Sequence, residues 1–284
     1  MAATTVLEPA IPPHLQTQRT IPAKTPANYQ PPFPAYSARF PEKLKGLVVA
    51  IVGIQCESSS NEAFKESHSR LQSFFQAPSK TETWRPHHWI VATVTDNRGF
   101  FNWSTIAYWQ TVNEYNDWTE HSGFEAYWRS LDPTDENMGW FREVFLPPVE
   151  RFETVFSDNK VPEGAAHMRE GVSGEIREHV YWGSMRDRLP VAQHDALNKG
   201  TSSSANGFQI GEDTQKKRIK VPGRQNLAVI RSGQDWSGTT PHERKLYLET
   251  MHPVLIKGME FLRDHGEEVG YVQHIILCLL DVLF

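Results

Sequence analysis

An α+β fold is predicted by three features of the chain. They are a continuous β-branched run, Leu47-Val-Val-Ala-Ile-Val-Gly-Ile54, a helix-patterned segment directly after it, and two further strand-like runs separated by a turn. With a second helical stretch and a returning strand, the order becomes strand, helix, strand, strand, helix, strand. That is the βαββαβ arrangement of ferredoxin-like type. A weaker second round of similar elements follows.

The run from Leu47 to Ile54 suits a strand buried on both faces and opens the folded domain. From Asn61 to Gln76, Phe64, Leu71, Phe74 and Phe75 share one helix face, and Ser60 or Asn61 is available as N-cap. Trp89 to Thr95 reads as the second strand, Asp96-Asn97-Arg98-Gly99 as the turn and Trp103 to Trp109 as the third strand. Thr111 to Leu131 is helical in composition, and Val149 to Phe156 is the expected returning strand. In the second round, Glu178 to Gly183 and Asn226 to Arg231 are the expected strands and Asp187 to Asp195 part of a helical region. Glu243 to His265 is a strong helix with Leu246, Leu248, Leu255, Met259 and Leu262 as its apolar positions. Between these, Lys199 to Arg224 mixes serines, glycine and the basic run Lys216-Lys217-Arg218, and reads as a surface excursion.

Residues 1–37 are rich in proline, threonine and alanine, with Pro31-Pro32-Phe33-Pro34 near their end, and are expected to be a disordered tail. The 284-residue chain as a whole is 39% hydrophobic, enough for a real core. A net charge of −5 leaves no basic surplus for phosphates, so nucleic acid and anionic membranes are poor default partners and a small uncharged substrate fits better. Cys56 and Cys278 lack the spacing of a zinc site or redox pair, which points to a reducing, cytoplasmic setting. The first residues lack the continuous apolar run of a secretory segment. Ile275 to Phe284 is shorter than the roughly 20 residues that a spanning helix needs.

Among residues able to carry chemistry, Arg186 and Arg188 flank Asp187. In isolation such a cluster is more often a solvent-exposed ion pair, but Tyr181 and Trp182 precede it and Leu189-Pro190 redirects the chain after it, so a guanidinium at a cavity rim is the alternative. Ser232 follows an expected strand and precedes Gly233; it reads as a capping or turn serine or as a hydroxyl facing a ligand. No Gly-x-Ser-x-Gly elbow marks it as a nucleophile. Glu153 lies in an expected strand, where an inward carboxylate would need a partner. His87 and His88 are adjacent, project to opposite strand faces and make a poor metal pair.

The stretches His179-Val-Tyr-Trp-Gly-Ser-Met-Arg-Asp-Arg-Leu-Pro190 and Ile230-Arg-Ser-Gly-Gln-Asp-Trp236 resemble the haem-containing aldoxime dehydratases, also called phenylacetaldoxime dehydratases. Weaker similarity runs from about Tyr36 to Gly270. The resemblance implies a dimeric α/β-barrel core of two ferredoxin-like halves, a possible homodimer, haem b as cofactor and conversion of an aldoxime to a nitrile and water. It assigns Arg188 and Ser232 as the groups that orient the substrate, with Arg186 the alternative register, and places Glu153 in the distal pocket. It further implies iron as a Lewis acid on the oxime nitrogen, a proximal histidine on the iron and a distal histidine as proton donor.

After Gly270 the sequence departs from that pattern, and neither family histidine is matched; His274 sits alone in an apolar run. The expected organisation is therefore a tail over 1–37, a dehydratase domain over 38–270 with its second half incomplete, and an aberrant apolar tail over 271–284. No metal ligand is assigned, and weak haem binding with impaired activity is the expectation. A non-catalytic dimerisation or interaction protein built on the same fold is the competing one.

Overall fold

In the computed structural model of the protein, the described residues are 6–76, 84–96, 98–195, 216–221, 223, 227–233 and 238–269. They fall into two compact units, one ending at His194 and one beginning at Asp195.

The first unit contains β1 (Tyr36–Arg39), β2 (Val48–Cys56), α1 (Glu62–Ser73), β3 (His88–Thr95), β4 (Phe101–Trp109), α2 (Val112–His121), α3 (Phe124–Ser130), β5 (Gly139–Phe145), β6 (Val155–Phe156), β7 (Gly171–Val172) and α4 (Met185–Arg188). Strands β2 to β5 form a fully antiparallel sheet in the order β3-β4-β2-β5, with Val52 paired to Thr105 on one side and to Arg142 on the other. A smaller antiparallel sheet has the order β6-β1-β7. Both sheets are open, and no closed barrel forms among the described residues.

Local sequence explains the large sheet and its helices. Val48, Ala50, Val52 and Ile54 are fully buried at the two-residue period of one strand face. They pack against Phe64 and Leu71 of α1 and against Tyr115, Trp118 and Phe124 of α2 and α3. Asn61 caps α1 by accepting the N–H of Ala63, and Thr111 caps α2 by accepting that of Glu114. The stretch Thr111 to Leu131 is two helices because Gly123, at φ +80, takes a left-handed conformation that a continuous helix cannot contain. In the β3–β4 turn the Asp96 carboxylate accepts the N–H groups of Arg98 and Phe100; Asn97 lies outside the described residues.

Gly53 sits where β2 meets its neighbours. A Cβ there would lie 2.2 Å from the Phe141 ring and 2.5 Å from the Trp103 carbonyl. Gly53→Ala is expected to cost about 1–3 kcal/mol through this overpacking, read as a lower urea midpoint at unchanged slope. A midpoint equal to wild type would show that the sheet yields there.

Four expectations need correction. The returning strand is β5, not Val149 to Phe156: Pro147 and Pro148 remove two ladder donors, Val149–Arg151 makes one 3-10 turn, and only Val155 and Phe156 pair, with β1. Glu178 to Gly183 is not a strand. The Tyr181 N–H goes to the His179 ring, and Arg188 takes the carbonyls of His179 and Tyr181, so the ladder groups are consumed. Residues 227–231 are irregular, with Leu227, Val229 and Ile230 exposed and no partner strand among the described residues; Asn226 is outside them.

The fourth correction concerns the tail. From residue 6 onward it is held in place: Glu8 bridges Ile176, the N–H of Ala10 donates to Glu178, and Arg39 donates to the carbonyls of Pro9 and Ala10. Proline-rich backbone that pairs little with itself is satisfied here by groups far along the chain. Burial pushes the Glu178 carboxyl up, although the Ala10 N–H and nearby Arg177 and Arg188 act against it.

The second unit is dominated by the predicted long helix. It comprises α5 (Pro241–Leu246), a π turn over Tyr247–Met251 and α6 (His252–His265). Thr240 accepts the N–H of Glu243 at its start. The π turn has a cause in sequence: Pro253 lacks an N–H and its ring crowds the carbonyl four residues back, so the regular ladder cannot run through. No helix among the described residues is long and apolar enough to cross a membrane. Most of Lys199 to Arg224 and all of residues 270–284 lie outside the described residues, so neither the surface excursion nor the apolar tail is placed.

Candidate active site

Arg188 ends α4, a single helical turn entered through a 3-10 turn at Trp182–Ser184 and stopped by Leu189-Pro190. It is 3% exposed and bonded in a fixed direction. Its Nε donates to Glu153 Oε2 at 2.8 Å and its Nη2 to Oε1 at 2.6 Å, the parallel two-bond geometry in which a guanidinium fits a carboxylate best. Its Nη1 donates to the carbonyls of His179 at 2.5 Å and Tyr181 at 3.0 Å. These bonds use four of the five N–H groups of a guanidinium, leaving one on Nη2 for another acceptor.

Glu153 reaches this position from the irregular link between the 3-10 turn at Val149–Arg151 and β6. Beside it is a recess of about 10 Å³ walled by Ile11, Leu15, Phe40, Phe152 and Leu189, the size of a single water. Arg186 is half-buried, and its carbonyl accepts from Arg19 at 2.7 Å. Of the two register choices, Arg188 is the one bonded to Glu153.

Asp187, between the two arginines, was not singled out from sequence. It is 7% exposed and accepts three bonds, from the N–H of Lys24 at 2.9 Å and from the N–H and hydroxyl of Thr25 at 2.6 Å each. Burial pushes its carboxyl up, but the Thr25 hydroxyl, the two N–H groups and the Arg19 charge outweigh this and hold it below the usual carboxylate range. The signal missed in sequence was the proline-rich segment itself, whose free backbone N–H groups need acceptors.

Ser232 lies in the second unit on exposed, irregular backbone. Its neighbours Asp235 and Trp236 are outside the described residues. His87 bonds Glu114 at 3.2 Å, while the ring of His88 stacks on that of His167 with centroids 3.5 Å apart. Among the described residues no three His, Cys, Asp or Glu side chains group as a metal site.

The mixed helix and antiparallel-sheet architecture matches that of solved aldoxime dehydratases. The chain belongs to the haem-containing dehydratase family, whose sequence model it matches over residues 50–281. That match runs past Gly270, where the sequence reading placed the departure from the family.

It is 36% identical over 268 residues to an aliphatic aldoxime dehydratase of Pseudomonas chlororaphis, covering 93% of this chain and 73% of that protein. It is 34% identical over 277 residues to one of Rhodococcus erythropolis, covering 97% and 76%. A phenylacetaldoxime dehydratase of a Bacillus species is 30% identical over 253 residues, covering 87% and 68%. A crystal structure of an aldoxime dehydratase in complex with butyraldoxime superposes with a TM-score of 0.73 at 29% identity, covering 92% of this chain and 71% of that one.

Family membership implies haem. The recess beside Glu153, with room for about one water, is too small for a porphyrin, and no imidazole lines it. What the described residues supply is the polar clamp formed by Arg188 and Glu153.

Proposed function

We propose that the protein is an aldoxime dehydratase-like lyase in which Arg188 and Ser232 hold the oxime hydroxyl and Glu153 aims Arg188. The observation that carries this reading is the buried, doubly bonded Arg188–Glu153 pair with one N–H left over. In R-CH=N-OH the C–H proton leaves, the N–O bond breaks with its electron pair going to oxygen, and that oxygen takes a proton to depart as water. Negative charge therefore grows on the oxime oxygen. A guanidinium already fixed by a carboxylate and two carbonyls meets that charge without reorganising, and a serine hydroxyl adds a second donor.

The strand order β3-β4-β2-β5 with helices between supports reading residues 48–145 as one ferredoxin-like half. The low cysteine count, with Cys56 buried as a free thiol, supports a reducing compartment.

The test is nitrile formation from phenylacetaldoxime and butyraldoxime by the purified chain supplied with haem and dithionite. Weak turnover is expected, in line with the impairment expected from sequence, falling about 100- to 1000-fold further in Ser232→Ala with the haem spectrum unchanged. Absence of nitrile from either substrate would overturn the reading, and full activity in Ser232→Ala would remove that residue from it.

A further inference from the structure

Arg188 is carried by a helix of four residues, too short to hold its own direction, since one hydrogen-bonded turn does not repay the cost of nucleation. Something outside the turn has to fix it. Beyond Glu153 and the two carbonyls that bind the guanidinium, one more element holds the turn itself. Besides the three bonds to Asp187, the Arg19 guanidinium donates to the carbonyls of Arg186 and Asp187. Gln193, 7% exposed, accepts the N–H groups of Thr20 and Ile21 and donates to the carbonyl of Gln18. Ile11 and Leu15 pack on Leu189, Ala192 and Met185. Residues 8–25 thus cross the segment bearing Arg188 with polar bonds on both sides of it and apolar contact between.

We propose that residues 8–25 are a strap that sets the direction of Arg188, and that Asp187 is the positioning residue through which it acts. This rests on the reading of Arg188 as a substrate-holding group. The carboxylate of Asp187 is 7% exposed and takes three donors, all from the strap, so its work is to join the strap to the peptide adjoining Arg188. An asparagine in its place would present an N–H₂ to one of those N–H donors and break the join.

The experiment compares the full chain with Asp187→Asn, Thr25→Val and Thr25→Ser. The first readout is hydrogen exchange of the Arg188 Nε–H, followed by 15N NMR and assigned by its loss in Arg188→Lys. The Val52 amide of the central sheet serves as reference. In Asp187→Asn and Thr25→Val the Arg188 proton is expected to exchange about 10- to 100-fold faster, the range for losing a bond to a charged group, and to return to wild type in Thr25→Ser. The Val52 amide is expected to stay unchanged. The second readout is kcat and KM for nitrile formation, with kcat falling in the same two variants and recovering in Thr25→Ser.

Unchanged Arg188 exchange in both variants overturns the proposal, and so does equal acceleration at Val52, which would mean general destabilisation. If Arg188→Lys keeps full turnover, the functional reading fails while the exchange data still decide the strap. If Arg188→Lys loses turnover but Asp187→Asn and Thr25→Val keep it, the strap alone fails.

Discussion

Glu153→Ala is expected to cost about 3 kcal/mol of stability, the lower end of the range for removing one partner of a buried ion pair. The Arg188 side chain is 2% exposed and that of Glu153 22%, so the cation is the more deeply buried member and is left without its counter-charge. The two carbonyl bonds of Arg188 remain and water reaches the vacated side, which keeps the loss from the upper end of the range. Glu153→Gln, which keeps one acceptor of similar shape, should lose about half as much. Exchanging both residues for apolar ones, Glu153→Leu with Arg188→Met, should recover most of the stability and none of the activity. Urea midpoints at constant slope read all three. Wild-type stability in Glu153→Ala would show that Arg188 has found another anion.

A loss of about 3–5 kcal/mol is expected for Trp118→Ala. The Trp118 side chain is fully buried and stacks on Phe124 with ring centroids 4.7 Å apart, while Phe75 and Trp109 each lie 4.9 Å away. Its indole N–H donates to the carbonyl of Phe74 at 2.9 Å, tying α2 to the end of α1. Alanine opens a cavity among rings that cannot collapse together and orphans that carbonyl. Trp118→Phe keeps most of the ring contact and loses mainly the hydrogen bond, so it should recover more than half of the deficit. Similar midpoints for the two variants would mean that the bond, not the volume, carries the effect.

Three strands of the four-stranded sheet and its helical segments were legible in sequence because each signal was local. The β-branched run at Val48 to Ile54 and the helix face at Phe64 and Leu71 depend on residues a few places apart, as does the Asp96 turn. The fourth strand was not legible. Gly139 to Phe145 mixes arginine, glutamate and exposed positions, and Val149 to Phe156 looked more strand-like until Pro147-Pro148 was given its full weight. The pairing of Arg188 with Glu153 spans 35 residues. The family resemblance named both residues, but no local pattern says that they touch.

The strap was illegible for the same reason in stronger form. A proline-rich segment has no period to read, and its acceptors lie at Asp187 and Gln193. Composition alone sees an unpaired backbone and reports disorder. Ser232 was named through its motif, and its place on irregular backbone was not foreseen, because the expected strand before it rested on apolar content without a partner.

The strap also fixes an order of assembly during synthesis. Its bonds to Asp187 and Gln193 close loops of 163 and 173 residues, whereas the four-stranded sheet needs only residues 48–145. The N-terminal residues leave the ribosome first and find their acceptors only after that sheet has been made. Closing so long a loop is entropically expensive and pays back little until a folded surface already holds the far end. The strap's bonds to Asp187 and Gln193 are therefore expected to form after that sheet, and a nascent chain can carry a finished core before residues 8–25 have docked on the segment bearing Arg188.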